Sequence, residues 1–114
     1  MPLYYNLSKV YELSDNDQEF ALHIMALFLE EVPVEIKNIK EGIEEKDFTK
    51  VYAASHKIKP TLDLLGLFQA YEFNIQIMDW SKSTGQKKEI REIYKELKSL
   101  IDHAVKEIKK DFNL

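Results

Sequence analysis

The scarcity of chain breakers is the feature that most constrains this sequence. It contains only three glycines and three prolines. Its long segments repeat apolar residues with a helical period, and none sustains the alternation typical of a strand. The segments are joined by short connections, which favour antiparallel neighbours. The pattern therefore predicts an all-α protein, an antiparallel up-down bundle of four main helices with a short N-terminal leader helix.

The first half of the chain should hold the leader and one long, interrupted helix. The leader is expected at about residues 8–12, and Asp15 or Asn16 should cap the next helix. Pro33 should kink or break that helix, because proline removes a backbone hydrogen bond. The helical pattern then resumes and ends before Asp47. The apolar stripe predicted at the start of this helix is Phe20, Ile24, Leu27 and Phe28.

Three further helices are predicted at about residues 47–65, 68–83 and 87–111. Gly66 should stop the first of them, since glycine favours the left-handed conformation that ends many helices. Aromatic residues in the second are expected in the core: Tyr71, Phe73 and Trp80. The last helix carries a regular apolar stripe: Ile90, Ile93, Leu97, Leu100, Ile101, Ala104 and Ile108.

Composition limits the classes of function. The 114 residues fit a single domain spanning 1–114. No cysteine is present, which excludes disulfides and thiolate chemistry. A net charge of −4 argues against a nucleic-acid partner. No apolar run long enough to cross a bilayer and no signal-peptide pattern is visible. We therefore expect a soluble, cytoplasmic monomer without a membrane or nucleic-acid partner.

The segment VYAASHKIKPTLDLLGL separates into two lines when it is placed on a helix. His56, Lys59 and Asp63 follow one another at spacings of three and four, away from the apolar residues. His56 should therefore be exposed midway along its helix, with Lys59 one turn further on. The side chain of Lys57 projects about 100° around the helix axis from that of His56. The apolar line, expected to be buried, is Val51, Ser55, Ile58, Leu62 and Leu65.

An exposed histidine beside a lysine has a specific chemical use. A neutral imidazole is a nucleophile near neutral pH. A phosphoryl group on its ring nitrogen would carry about two negative charges, which the lysine would meet. Spacing alone does not distinguish this role from that of an ordinary surface pair, which is the more common situation.

The stretch ASHKIKPTLDLLGL resembles the signature of histidine-phosphotransfer (HPt) domains, the phosphoryl carriers of multistep phosphorelays. The upstream FLEEVP segment at 28–33 and the acidic Asp47 before the histidine helix resemble the same family, so the likeness covers most of the chain. The residues that match the signature are Ala54, His56, Ile58, Lys59, Thr61, Leu65 and Gly66.

The resemblance implies a four-helix bundle whose His56 accepts a phosphoryl group. Lys59 would stabilise that group, with a secondary role for Lys57. The phosphoryl would come from the aspartate of a receiver domain and pass to another receiver, so response-regulator receivers and a hybrid histidine kinase are the implied partners. Magnesium would be bound by the partner receiver and no cofactor by this chain. No glycine-rich phosphate loop occurs, so no ATP site of its own is expected.

Two positions depart from the family pattern. Pro60 follows Lys59 where relatives commonly have glycine, and proline has no N–H to donate to the carbonyl of His56. On the following helix relatives often place a glutamine near the histidine; Asn74 and Gln76 are the polar candidates here. Loss of transfer through Pro60 would leave a non-catalytic helical adaptor, which is the alternative function. An unrelated helical enzyme is not supported, because the sequence shows neither paired carboxylates nor a base–nucleophile motif.

The remaining candidates are weaker. We expect His23 to be a partly buried structural histidine and His103 to be a surface residue. A metal site combining His56 with Asp63 lacks any recognisable ligand spacing. A partner should dock through apolar residues around His56, with Lys57 and Lys59 at the edge of the contact. The predicted apolar contacts are Leu7, Val10, Tyr11 and Ile24.

Overall fold

A computed structural model describes residues 4–114, and within that range it contains five helices and no strand. They are α1 (Ser8–Ser14), α2 (Gln18–Glu45), α3 (Phe48–Leu64), α4 (Phe68–Lys82) and α5 (Lys87–Phe112). Neighbours in sequence pack together along α2–α3–α4–α5, α5 closes the ring against α2, and α1 lies on α2. This confirms the predicted all-α bundle with a short leader helix. The bundle measures 43 × 23 × 20 Å.

The turn between α1 and α2 differs from the prediction. Asp17, and not Asp15 or Asn16, caps α2, and its carboxylate accepts the backbone N–H groups of Glu19 and Phe20 at 3.0 and 3.2 Å. Helix α1 continues to Ser14, which places Asp15 and Asn16 in the turn with φ of 56° and 66°. Aspartate and asparagine tolerate this left-handed conformation better than most residues, so the segment SDND provides both the turn and the cap.

Pro33 does not break α2, so a break, one of the two outcomes predicted there, does not occur. The helix is continuous over 28 residues. Pro33 is exposed, while Val32 and Ile36 beside it are buried in the core. The packing of these neighbours holds the helix together across the one hydrogen bond that proline removes.

The core lies between the inward faces of the four long helices. The predicted stripes of α3 and α5 are confirmed, since the five predicted α3 residues are buried and the α5 stripe is buried or packed against the core. In the predicted α2 stripe Phe28 is buried as expected, but Phe20 is 36% exposed, and Ile24 and Leu27 are only partly buried. The inward face of this part of α2 consists of Ala21, Met25, Phe28 and Val32.

An N-terminal segment, residues 4–6, connects two distant parts of the bundle. The backbone N–H of Tyr4 donates to Glu107 at 2.8 Å, and the Tyr5 hydroxyl donates to Asp111 at 2.9 Å. The backbone N–H of Asn6 donates to the carbonyl of Leu65 at 2.7 Å. This segment therefore joins the end of α5 to the turn between α3 and α4.

Gly66 is required where this segment crosses the α3–α4 turn. Its φ is +66°, in the left-handed region that glycine adopts without steric cost. A Cβ added there would lie 2.7 Å from the Cβ of Asn6. Gly66 thus ends α3, as predicted from the sequence, and also admits the N-terminal segment.

Candidate functional site

Helix α3 presents His56 on its outer face. The Asp47 carboxylate caps the helix by accepting the backbone N–H of Lys50 at 3.0 Å. The buried line from Val51 to Leu62 fixes which side faces the core. His56 is exposed and lies midway along the 17-residue helix, which confirms both parts of the prediction.

An aromatic side chain lies beside the imidazole. The rings of Tyr52 and His56 stack at a centroid distance of 5.7 Å with an interplanar angle of 24°. The Lys82 ammonium, from the end of α4, lies 5.4 Å from the centroid of the Tyr52 ring. Neither residue was predicted from the sequence. The spacing of four between Tyr52 and His56 was an available signal, whereas Lys82 comes from another helix.

Lys59 is the neighbouring cation predicted from spacing. It is half-buried and makes no ion pair or hydrogen bond with any residue in the range 4–114. Helical side chains point toward the N-terminus, so the stem of Lys59 lies over the turn that carries His56. Its ammonium is therefore available for an anion at the imidazole.

Lys57 has a different environment. Its ammonium lies 3.0 Å from the Glu35 carboxylate on α2, and Glu35 is only 8% exposed. The Asn38 amide donates to the other oxygen of Glu35 at 2.9 Å. Burial raises the pKa of Glu35, but the hydrogen bonds from Asn38 and Lys57 outweigh burial and hold the pKa below its usual range. The pair in turn raises the pKa of Lys57. Lys57 is thus bound to α2.

Asp63 lies on the same line of α3 as His56, and a lysine of the leader helix neutralises its charge. The Lys9 ammonium lies 2.7 Å from an Asp63 oxygen, and each side chain is about half exposed, at 48% and 44%. Such exposed pairs contribute at most about 1 kcal/mol to stability. The contact still matters for charge, because an unpaired carboxylate on this face would repel a phosphoryl group.

The positions that depart from the family pattern lie around the same helix. Asn74 is buried, and its amide donates to the carbonyl of Ser55 at 2.9 Å. Gln76 is exposed, and the structure gives neither residue a hydrogen bond to His56. Pro60 is exposed on the turn after His56 and leaves the His56 carbonyl without its usual helical donor.

The predicted docking residues are only partly accessible. Val10 is fully buried, so its assignment to a docking surface was wrong; a helix as short as α1 stays on the bundle by inserting a residue. Leu7, Tyr11 and Ile24 are partly buried against the core. The large apolar residues that are exposed near the α1–α2 turn and at the start of α4 are Leu13, Phe20, Leu22 and Phe68.

The other two histidines lie away from α3. His23 is exposed, which corrects the expectation of partial burial, because the inward face of α2 is rotated from the predicted one. His103 is exposed as expected, and its ring stacks on Tyr4 at 4.8 Å and 10°. Across residues 4–114 no three metal-ligating side chains come together. No helix in that range is both long enough and apolar enough to cross a membrane.

Comparison with known proteins identifies the fold. No family model and no curated protein matches the chain. Among solved structures, the HPT domain from the Hpt sensor hybrid histidine kinase of Shewanella superposes with a TM-score of 0.77. The match covers 93% of each chain at 16% sequence identity. The chain therefore has the fold of an HPt domain, which confirms at the level of structure the resemblance seen in the sequence.

Proposed function

We propose that this chain is a phosphorelay carrier that accepts a phosphoryl group on His56 from a receiver-domain aspartate and passes it to another receiver. The observation that carries the proposal is the placement of His56 on a bundle with the HPt fold. The imidazole is exposed midway along α3, and Lys59 one turn away has no partner among residues 4–114. This provides a nucleophile and a cation on an open surface.

The transfer follows from this arrangement. A lone pair of the neutral imidazole attacks the phosphorus of the aspartyl phosphate. The N–P bond forms while the P–O bond to the aspartate breaks, and its electron pair returns to the carboxylate. The imidazole carries the positive charge until its remaining ring proton leaves. Lys59 meets the phosphoryl oxygens, and magnesium bound by the partner receiver would supply further neutralising charge. The second transfer reverses these steps on another aspartate.

The partners and setting follow from the same chemistry. The carrier has no phosphoryl donor of its own in this scheme, so it depends on a hybrid histidine kinase and on response-regulator receivers. It acts in the cytoplasm as a monomer. Lys57 contributes only a distant charge, because it is held by Glu35 at 3.0 Å.

A non-catalytic adaptor is the second candidate, and Pro60 favours it. Proline occupies an exposed position one turn after His56, where relatives commonly have glycine. A ring at that position keeps a partner further from the imidazole than glycine does. An adaptor would bind receivers and accept no phosphate.

The test is transfer from a labelled receiver. The chain is mixed with a phosphorylated receiver domain and magnesium, and the label is followed. We expect the label to move to this chain in a linkage that is labile in acid and stable in alkali, as a phosphoramidate is. Binding without transfer from any of a panel of receivers supports the adaptor and contradicts the carrier.

A further inference from the structure

We infer that Tyr52 is a positioning residue for the His56 imidazole and that Lys82 of α4 holds Tyr52 in place. The role in transfer rests on the proposed function. The contact itself does not, because the stacked pair belongs to the isolated chain. Neither residue belongs to the pair, His56 and Lys59, that the proposed transfer uses.

The stacked geometry restrains the imidazole without blocking it. Tyr52 lies one turn before His56, which is where a helical side chain at His56 points. Their centroids are 5.7 Å apart with a 24° interplanar angle, so the two rings form an offset stack. The lone pairs of ring nitrogens lie in the ring plane and not on its faces, and the side chain is exposed. An exposed side chain otherwise samples several rotamers, and fixing one of them reduces the entropy that reaction must remove.

Lys82 connects this restraint to α4. Its ammonium lies 5.4 Å from the centroid of the Tyr52 ring, within the range of cation–π attraction. Within residues 4–114 Lys82 has no carboxylate partner. The ring of Tyr52 is therefore in contact with His56 of its own helix and with a cation from the next.

The contact should strengthen during the reaction. The imidazole becomes positively charged as the N–P bond forms and the P–O bond of the donor breaks. An aromatic face attracts a cationic ring more than a neutral one. An interaction that is stronger in the transition state than in the ground state accelerates the step. Tyr52 would therefore contribute to rate as well as to orientation.

The experiment uses the reaction of the isolated chain with phosphoramidate, a small phosphoryl donor whose P–N bond breaks and releases ammonia as the bond from phosphorus to the His56 ring nitrogen forms. Tyr52→Leu removes the aromatic face. Tyr52→Phe is the matched control, because the Tyr52 hydroxyl makes no hydrogen bond to a described residue. The exposed His23, which has no ring contact in the range 4–114, is an internal reference for reagent activity. Mass spectrometry resolves the sites, and NMR reports the His56 ring protons.

Tyr52→Leu should slow phosphorylation of His56 by about threefold to tenfold, the effect that one aromatic pair supplies, and leave His23 unchanged. The ring-current shift that the Tyr52 ring gives to the His56 protons should disappear in the same variant. Tyr52→Phe should retain both the rate and the shift. Lys82→Met should slow His56 by about twofold, and it keeps the inference testable if Tyr52→Leu fails to fold.

Equal rates at His56 in Tyr52→Leu and the wild type would overturn the inference. So would a loss in Tyr52→Phe as large as that in Tyr52→Leu, because the hydroxyl and not the ring face would then be responsible. If Tyr52→Leu does not fold, an unchanged rate and shift in Lys82→Met contradicts it. Absence of transfer from every receiver to the wild type contradicts the proposed function instead, while the phosphoramidate reaction still tests Tyr52.

Discussion

Two histidines in this molecule stack on tyrosine rings, but the two pairs differ in their surroundings. His56 stacks on Tyr52 at 5.7 Å, and His103 stacks on Tyr4 at 4.8 Å. The first pair is formed within one helix. The second joins α5 to the N-terminal segment, far apart in sequence, so it closes the fold.

The charges around the two pairs differ as well. Near His56 the cations Lys59 and Lys82 have no carboxylate partner within residues 4–114. Beside His103 the N-terminal segment donates to carboxylates, with Tyr4 bonded to Glu107. His103 also has a lysine three residues further on, Lys106, so the feature that sets the first pair apart is the second cation, Lys82, at the Tyr52 ring. The lesson is that neither a histidine–tyrosine stack nor a lysine at that spacing identifies a site; the groups that other helices bring to the pair distinguish the two.

Replacing each histidine gives the largest expected difference. His56→Gln should abolish labelling by a phosphorylated receiver and leave helical content intact, because an exposed side chain contributes little to folding. His103→Gln should keep the label, with only the stability of one aromatic pair lost, about 0.5–1.5 kcal/mol. Transfer assays with circular dichroism check both. Label on His56→Gln would show that the site is elsewhere.

The next largest difference in transfer rate is expected between variants of the two lysines near His56. Lys59→Ala should slow transfer by roughly ten- to a hundredfold, the value of one charge-assisted hydrogen bond in a partly dry complex. Lys57→Ala should have a smaller effect, because its ammonium is bound to Glu35. Transfer kinetics from one receiver measure both. Equal rates for both variants and the wild type would remove Lys59 from the mechanism.

Replacing Tyr5 tests whether the N-terminal segment serves the stability of the fold and not transfer. Its buried hydroxyl donates to Asp111 at 2.9 Å, and burial, with this hydrogen bond, raises the pKa of the phenol. Tyr5→Phe should lower the free energy of unfolding by about 1–2 kcal/mol. Transfer to His56 should be unchanged. Urea unfolding and the receiver assay give the two readouts, and a loss of transfer without a loss of stability would contradict the division between the two regions.

The smallest effect concerns the Glu35–Lys57 pair and depends on pH. The folded protein holds the pKa of Glu35 below its usual value, so the unfolded state binds the proton more readily. The stability that Glu35 contributes is fully present at pH values above its pKa in the unfolded state. It is lost as the pH falls through its pKa in the folded state. Wild type should therefore exceed Lys57→Met in stability at about pH 6.5, and the two should converge toward about pH 3. A gap that stays constant with pH would rule out this ion pair.

Much of α3 was predictable because its signals are local. The bounds of α3, the buried line and the exposure of His56 follow from helical period, the Asp47 cap and Gly66. In the α1–α2 turn three neighbouring polar residues compete for one cap, and the sequence does not rank Asp15, Asn16 and Asp17. The turn geometry that follows from the end of α1 at Ser14 decides among them.

The site was predictable only where its partners share a helix. His56 and Lys59 are neighbours by spacing, and Tyr52 lies at the same kind of interval. The ion pair of Lys57 with Glu35 depends on how α2 packs against α3. The contact of Lys82 with Tyr52 likewise depends on the register of α4. Pairings between helices are set by tertiary packing, and the spacing of apolar residues within one helix does not reveal them.

In the proposed relay, the central position of His56 on a narrow bundle would also govern the order of events. The molecule is 43 Å long and 23 Å across. A typical partner covers about 800 Å² of surface, equivalent to a disc about 32 Å wide. Such a footprint centred on the imidazole fills that side of the bundle and leaves no room for a second partner there. The donor must depart before the acceptor arrives, so steady-state relay kinetics should be ping-pong, with an excess of either receiver inhibiting the other.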